Sequence, residues 1–126
     1  MGENYARLPA LLDTVQGMTA LRENSKNDDG TDRVPGVEWF RFNGVAATNL
    51  YVSGNLWVGL GTSAEQLKIW RRDAAVYNVW HQQGTVAGVA FFKLRVQGYL
   101  HYSTTAAEHS ITYELILLQD GRMVLN

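Results

Sequence analysis

The chain lacks cysteine altogether and has only two prolines among its 126 residues. Without cysteine it cannot form disulfides, thiolate nucleophiles or zinc–thiolate sites. Its formal net charge is −1, so no overall electric field favours nucleic acid or an anionic membrane. No stretch of the sequence approaches the roughly 18 apolar residues of a membrane-spanning helix. We therefore expect neither membrane insertion nor a nucleic-acid partner.

The residues that are present predict one globular domain with three unequal segments. A hydrophobic share of 46% over 126 residues is enough to bury a core without covalent cross-links. Residues 1–24 contain a helical pattern, residues 25–36 are polar and turn-forming, and residues 37–126 carry strand signals. The predicted fold is mainly β: an antiparallel, jelly-roll-like β-sandwich at 37–126, preceded by one N-terminal α-helix at 1–24 and a polar linker at 25–36.

The N-terminal pattern predicts a helix over residues 4–24 with an apolar stripe. Tyr5, Leu8, Leu12 and Val15 share one face by their three- and four-residue spacing. Read as heptads, the a and d positions are Leu8, Leu11, Val15 and Met18. Two heptads are too few to form a coiled coil alone. The helix therefore either docks on its own domain or contributes to self-association.

From residue 37 onward the apolar pattern has the period of β-strands. The candidate strands are 37–43, 48–53, 56–60, 75–81, 85–100 (one bent strand or two), 111–119 and 122–126. Seven or eight short strands separated by turn signals are typical of a β-sandwich. At the turn Ser53-Gly54-Asn55 we predict a three-residue loop that pairs Tyr51 with Trp57, because this register separates an aliphatic face from an aromatic one.

The C-terminal hairpin is apolar on both faces. Asp120-Gly121 predicts a two-residue type I′ turn that pairs Leu118 with Met123. In that register one side carries Ile116, Leu118, Met123 and Leu125, and the other carries Leu115, Leu117 and Val124. A hairpin of this kind is covered on both faces, by the N-terminal helix or by a neighbouring subunit. The candidate interface residues are Leu8, Leu11, Val15, Met18, Ile116, Leu118, Met123 and Leu125.

The sequence contains no assembled catalytic set. The histidines His81, His101 and His109 lack metal-ligand spacing, and no serine lies in a G-x-S-x-G motif. No motif pairs the candidate carboxylates Glu38, Glu65, Asp73, Glu108 and Glu114. We therefore expect no enzymatic activity, no cofactor and no metal. A small hydrolase with a cryptic site ranks last among the alternatives.

The polar segment 25–36 resembles a calcium loop in composition but not in spacing. With Gly30 at the sixth loop position, the twelfth is Gly36, where an EF-hand has glutamate. We therefore predict no calcium site here.

Aromatic side chains exceed what a small core needs. Rings beside amide and charged groups form platforms that stack on sugars. The candidate platform comprises Tyr51, Trp57, Trp70, Arg71 and Arg72. The alternative is that most of the rings, Trp39 and Trp80 above all, fill the core. One short basic cluster around Trp70 is too little to predict nucleic-acid binding.

Four segments together resemble a known family. They are VEWFRFNG at 37–44, YVSGNLWVGLG at 51–61, RRD at 71–73 and YELILLQDGR at 113–122. They resemble a β module of bacteriophage and prophage virion proteins, found in tails and fibres, and are more distantly similar to the nidogen-type extracellular β domain. Leu56 and Leu60 depart from that pattern, which has polar and aromatic residues there.

The resemblance implies a non-enzymatic virion structural or assembly protein, made in the cytoplasm of a bacterial host. Its expected partners are further copies of the chain or other virion proteins. The alternative from the aromatic surplus is a carbohydrate-binding, receptor-binding module that recognises a cell-surface glycan, extracellular if not in a virion.

Overall fold

The computed structural model describes residues 15, 17–70 and 73–126, which form a mainly β structure. The elements are β1 (Thr19–Arg22), β2 (Thr31–Pro35), β3 (Arg41–Phe42), β4 (Val45–Ala46), β5 (Asn49–Ser53), β6 (Trp57–Leu60), β7 (Leu67–Lys68), β8 (Ala75–Val86), β9 (Val89–Tyr99), the 3-10 helix η1 (Ala107–His109), β10 (Ser110–Leu118) and β11 (Met123–Leu125). The predicted mainly β class is confirmed. Within the described ranges, no helix has the length and apolar character to cross a membrane.

The strands form two sheets and a separate hairpin. Sheet A has the order β1-β8-β9-β10-β11, sheet B has the order β2-β5-β6-β7, and β3 pairs with β4 alone. Every strand pair is antiparallel, as predicted. The long β8–β9 hairpin is the centre of sheet A, since its pairing runs from Ala75 opposite Tyr99 to Val86 opposite Val89.

One core cluster combines apolar side chains from both sheets. In sheet A, Phe92, Leu94 and Val96 of β9 face this core together with Leu115 and Leu117 of β10. Sheet B contributes Val34, Leu50, Val52, Val58 and Leu60. Strand alternation turns the intervening residues to the opposite face of each sheet. Full burial of one such side chain stabilises the fold by about 1.5–3 kcal/mol, so this cluster is the main source of stability.

The predicted N-terminal helix is wrong for residues 19–22, which form β1 at the edge of sheet A. Thr19 lies opposite His81 of β8. Ahead of β1, Met18 N donates to Val15 O at 2.9 Å, and Gly17 has a φ of +78°, which an α-helix does not accept. Val15 is 41% exposed and Met18 is half-buried. The other candidate helix residues, Leu8 and Leu11, lie outside the described residues.

The predicted linker at 25–36 is part of the fold, because it contributes to both sheets. Asn27 exchanges two backbone hydrogen bonds with Val76 of β8, at 2.8 and 2.9 Å. Residues 31–35 form β2, which pairs with β5. Arg22 of β1 donates to both carboxylate oxygens of Asp32 in β2, at 2.7 and 2.8 Å. The polar residues of this segment therefore lie at the edges of the two sheets, where they connect one sheet to the other.

Two tight turns set strand boundaries that the sequence pattern left open or placed differently. Ala87 and Gly88 have φ values of +52° and +79° between the paired residues Val86 and Val89. Positive φ at both central residues is the signature of a type I′ turn, so the predicted segment 85–100 divides between β8 and β9. Asn43 and Gly44 form the same kind of turn, at +51° and +80°, which ends the predicted strand 37–43 at Phe42. Residues 37–40 are not in a strand, so β3 covers only Arg41–Phe42.

The β5–β6 hairpin has a different register from the predicted one. Its loop is 54–56: Leu56 N donates to Ser53 O at 3.1 Å, and Leu56 has a φ of +61°. Tyr51 consequently lies opposite Gly59, two residues beyond Trp57. A shift of two residues keeps each side chain on its face. The aliphatic residues of the hairpin are accordingly buried, and its aromatic residues face outward.

The register of the C-terminal hairpin is shifted by one residue from the predicted one. Each side chain of β11 therefore lies on the opposite face of the sheet from the one predicted. Gly121, at a φ of +94°, ends a three-residue loop, and Leu117 pairs with Met123. Met123 therefore packs towards the core with Leu117. Leu125 is 52% exposed. The predicted grouping of Ile116 and Leu118 with Met123 and Leu125 is wrong.

Sheet A carries a second apolar cluster on the face turned away from the core, called here the outer face. It consists of Phe91, Ile116, Leu118 and Val124. Beside it, Lys93 is 1% exposed, and its Nζ lies 3.6 Å from Glu114 Oε2, to which Arg95 also donates at 3.0 Å. Burial raises the pKa of the Glu114 carboxyl, and the attraction of Lys93 and Arg95 opposes that shift. These charged side chains are thus held away from water in the middle of a sheet.

The hydroxyl of Tyr113 predicts a loss of stability at alkaline pH. It is buried without a hydrogen-bond partner among the described residues, and burial raises its pKa. Above about pH 10 the unfolded chain ionises this group while the folded chain keeps it protonated, so stability falls as pH rises. Between pH 9 and 11 the wild type is expected to lose about 1.4 kcal/mol more than Tyr113→Phe.

Urea unfolding at pH 7, 9 and 11 measures this difference. Tyr102→Phe is the control, because Tyr102 is 39% exposed. At pH 7 we expect Tyr113→Phe to be at least as stable as the wild type, because it removes a buried hydroxyl that lacks a partner. Parallel alkaline losses in the wild type and Tyr113→Phe would contradict the assignment.

Candidate functional site

A pocket of about 550 Å³ lies at one end of sheet B and contains two tryptophans. It is lined by Asp29, Asn55, Leu56, Trp57, Glu65, Lys68, Trp70 and Asp73. Trp57 is half-buried and Trp70 is 46% exposed. Large apolar side chains at this exposure in a concave site are typical of surfaces that bind a ligand.

The turn at Leu56 positions both tryptophans. Its left-handed backbone buries the Leu56 side chain completely and starts β6 at Trp57. The Leu56 carbonyl oxygen accepts hydrogen bonds from Ile69 N at 2.9 Å and Trp70 N at 3.3 Å. Trp57 lies opposite Lys68 of β7. A single strained residue therefore joins the two aromatic walls of the pocket.

The polar loop 27–30 reaches the pocket because Gly54 has no side chain. A Cβ at Gly54 would lie 2.4 Å from the carbonyl oxygens of both Asn27 and Asp28. Gly54 N donates to Gly30 O at 3.0 Å, and Gly30 N donates to Asn27 Oδ1 at 2.8 Å. This close approach places Asp29 in the same pocket as Asn55.

The loop after β6 brings Glu65 into the lining of the pocket. The backbone of Thr62 crosses over Gly59, where a Cβ would meet Thr62 O at 2.0 Å. Gln66 Oε1 then accepts a hydrogen bond from Leu60 N at 2.7 Å, which holds the loop. Glu65 forms an exposed ion pair with Lys68 at 3.6 Å.

Three carboxylates gather beside the tryptophans. The carboxylate groups of Asp28, Asp29 and Asp73 offer oxygens within 4.8 Å of one another. Such oxygens suit a hard cation like Ca²⁺ better than zinc. They are the group within the described ranges that could hold a metal. Three acidic side chains near the surface do not by themselves make a metal site.

One pocket residue offers an unused acceptor. Asn55 Oδ1 is buried and accepts no hydrogen bond within the described part of the chain. Asn55 N is held by Ser53 Oγ at 3.0 Å, which fixes the backbone that carries this amide. A ligand hydroxyl that donates to Asn55 Oδ1 would satisfy the amide oxygen.

The predicted platform is brought together in part. Trp57 and Trp70 share the pocket, whereas Tyr51 lies on the outward face of sheet B and does not line it. Arg71 and Arg72 lie outside the described residues. Asp29 and Asn55 were not among the predicted site residues, and both reach the pocket through loops. The turn at 53–55 could be predicted from the sequence, but the loop that packs against it could not.

Two candidate catalytic carboxylates, Glu65 and Asp73, also line this pocket, although no sequence motif pairs them. The Glu65 side chain is 44% exposed and Asp73 is exposed. A glycosidase general acid is usually a carboxyl withdrawn from water by apolar neighbours. The surroundings of these two groups therefore favour hydrogen bonding over acid catalysis.

Comparison with protein-family models gave no match. No curated protein and no solved structure matched the chain either.

Proposed function

We propose that this protein is a non-catalytic carbohydrate-binding module, in which a jelly-roll-like β-sandwich presents the pocket of Trp57 and Trp70 to a glycan. The observation that supports it is the presence of two accessible tryptophans in one pocket among hydrogen-bonding groups. A glycan on a cell surface is the expected class of ligand, consistent with an extracellular or virion location.

The pocket offers both kinds of contact that a sugar needs. The apolar faces of pyranose rings stack on indole rings, and burial of that surface stabilises the complex. Sugar hydroxyls donate to carboxylate and amide oxygens and accept from ammonium groups. Asp29, Asn55 and Asp73 supply acceptors, and Lys68 supplies a donor. The acidic groups near Trp70 repel phosphate, which favours a glycan over nucleic acid.

A glycan array with the full chain, followed by calorimetry on the best ligand, tests the proposal. Trp57→Ala and Trp70→Ala are each expected to weaken binding by about 30-fold, the equivalent of about 2 kcal/mol for an interface residue that dominates affinity. The reason is that each ring forms one apolar wall. Phenylalanine at the same positions is expected to restore part of the affinity.

Tyr51→Ala is the matched control, since it removes an outward aromatic side chain of sheet B that does not line the pocket. Circular dichroism checks that each variant is folded. A silent array, or unchanged affinity in folded Trp57→Ala and Trp70→Ala, would contradict the proposal. Repeating the titration with added Ca²⁺ and with a chelator shows whether Asp28, Asp29 and Asp73 contribute through a cation.

Virion assembly is a second proposal, carried over from the family resemblance. The structural observation that favours it is the apolar cluster on the outer face of sheet A, since an adjoining subunit is one way to cover such a face. The protein would then be a structural component of a phage-type particle, with further copies or other virion proteins as partners. Light scattering after size exclusion on the full chain tests this proposal: a closed oligomer is expected, and a monomer at tens of micromolar would contradict it.

A further inference from the structure

The pocket at the end of sheet B carries more negative charge than the chain as a whole. Its described lining sets one lysine, Lys68, against three carboxylates, Asp29, Glu65 and Asp73, which is a net charge of −2. The whole chain has a formal net charge of only −1. Lys68 Nζ lies 3.6 Å from Glu65 Oε1, so these two charges offset each other. The negative potential therefore comes from Asp29 and Asp73, and it attracts cations to the pocket.

Two buried oxygens at the pocket lack a hydrogen-bond donor among the described residues. Asn55 Oδ1 belongs to a residue of the lining, and it is buried without a partner. Asp28 Oδ1 is buried in the same way, and the Asp28 carboxylate lies within 4.8 Å of those of Asp29 and Asp73. Buried acceptors are normally paired in a folded protein. A ligand that satisfies these oxygens must therefore donate hydrogen bonds.

The two tryptophans favour a cationic donor. Trp57 is half-buried and Trp70 is 46% exposed, so both side chains are accessible in the pocket. The face of an indole ring is electron-rich, and it attracts an ammonium group more strongly than other aromatic rings do. Carboxylates beside indole rings therefore suit a ligand whose ammonium group donates hydrogen bonds and also contacts a ring.

A bound calcium ion fits the same atoms less well. Ca²⁺ takes about six to eight oxygen ligands, whereas the described carboxylate group offers three. An indole ring adds no oxygen to that coordination. An ammonium group has three N–H donors, so three acceptors are enough for it. The number of oxygens and the neighbouring rings therefore favour an ammonium group over a metal ion.

We propose that the pocket selects a glycan built from amino sugars, whose protonated amine binds to the carboxylates of Asp29 and Asp73 beside the tryptophans. The inference rests on the proposed function, since it names the class of glycan that the module binds. Asp29 belongs to the loop packed on Gly54, and Asp73 precedes β8. The fold thus brings the two carboxylates to the amine from distant parts of the chain.

Three tetrasaccharides with one β-1,4-linked backbone test the proposal by calorimetry on the full chain. Each sugar carries an amine, an acetylated amine or a hydroxyl group at carbon 2, and at about pH 6 only the amine is charged. A chelator keeps divalent cations off the carboxylates. The amine form is expected to bind at least about tenfold more tightly than the hydroxyl form. This preference should shrink in about 1 M salt, where the screening length falls to about 3 Å.

Asp29→Asn and Asp73→Asn separate charge from shape, because asparagine keeps the size and one acceptor oxygen. Each is expected to lower affinity for the amine form about fivefold and to change affinity for the hydroxyl form by less than about twofold. Glu38→Gln is the matched control, since it removes the same charge from an exposed residue that does not line the pocket. It should leave all three affinities unchanged.

The outcomes separate this inference from the proposed function. If the three forms bind equally and Trp57→Ala weakens them all, the glycan site stands and the amine preference is overturned. An amine preference that survives in Asp29→Asn and in Asp73→Asn would also overturn it, as would one that Glu38→Gln abolishes, because the attraction would then arise elsewhere. If none of the three forms binds, the inference is overturned, and the glycan array decides the proposed function separately.

Discussion

Leu56→Ala is expected to lower the free energy of unfolding by about 3 kcal/mol, within the range of buried leucine truncations. The Leu56 side chain is 0% exposed and belongs to the core cluster. Its removal leaves a cavity beneath the turn that carries Trp57. Urea unfolding at pH 7 measures the loss.

The more specific prediction concerns glycine at the same position. Leu56→Gly is expected to be at least as stable as Leu56→Ala, which inverts the usual order of the two residues. Glycine normally costs about 0.5–1 kcal/mol relative to alanine. At a φ of +61°, however, a residue with a Cβ carries roughly 1–2 kcal/mol of strain that glycine avoids.

Val58 supplies the matched control two residues along the chain. It is also 0% exposed, and it lies within β6. At that position Val58→Gly should be less stable than Val58→Ala. The stability difference between the glycine and alanine variants is compared at the two positions. If glycine is less stable than alanine by the same margin at 56 as at 58, the left-handed turn is not a source of strain.

The mainly β class was predictable because burial alternates along single strands. Leu50, Val52, Val58 and Leu60 occupy alternate positions, and all four are buried. A period of two residues is a local property, so the sequence alone shows it. Neighbouring strands also had to pair antiparallel where short turns joined them.

Strand register was less predictable, because it depends on which residue takes the left-handed conformation. Sequence rules expect glycine or asparagine there, whereas the β5–β6 loop uses Leu56. At the C-terminal hairpin, Asp120-Gly121 suggested a two-residue turn, but Gly121 is the third residue of the loop. A single extra residue moved Met123 to the core face.

Contacts between distant segments account for the other differences. β1 pairs with β8, some 60 residues later, and its helical periodicity gave no sign of that partner. The tryptophans of the pocket were predictable from residue type. Asp29 and Glu65 were not, because they reach the pocket only where a loop crosses Gly54 or Gly59. Such close approaches are properties of the folded chain.

Gly59→Ala is expected to cost about 3 kcal/mol, the upper part of the range for overpacking. The added Cβ would lie 2.0 Å from Thr62 O and 2.7 Å from Ala64 O. Both are backbone atoms, so no side-chain rotation relieves the clash, and the loop must move. Gly88→Ala is the control: its Cβ would enter open space, and only its φ of +79° disfavours alanine.

The same substitution links the fold to the pocket. The loop over Gly59 continues to Glu65, so its displacement should remove that carboxylate from the pocket lining. Under conditions in which both variants are folded, Gly59→Ala is therefore expected to weaken glycan binding at least as much as Glu65→Ala, while Gly88→Ala leaves binding unchanged. If Gly59→Ala is destabilised but binds like the wild type, the loop is needed for stability alone. Glu65 would then have no part in glycan recognition, and the tryptophans, Asn55 and the aspartates would make the contacts with the glycan.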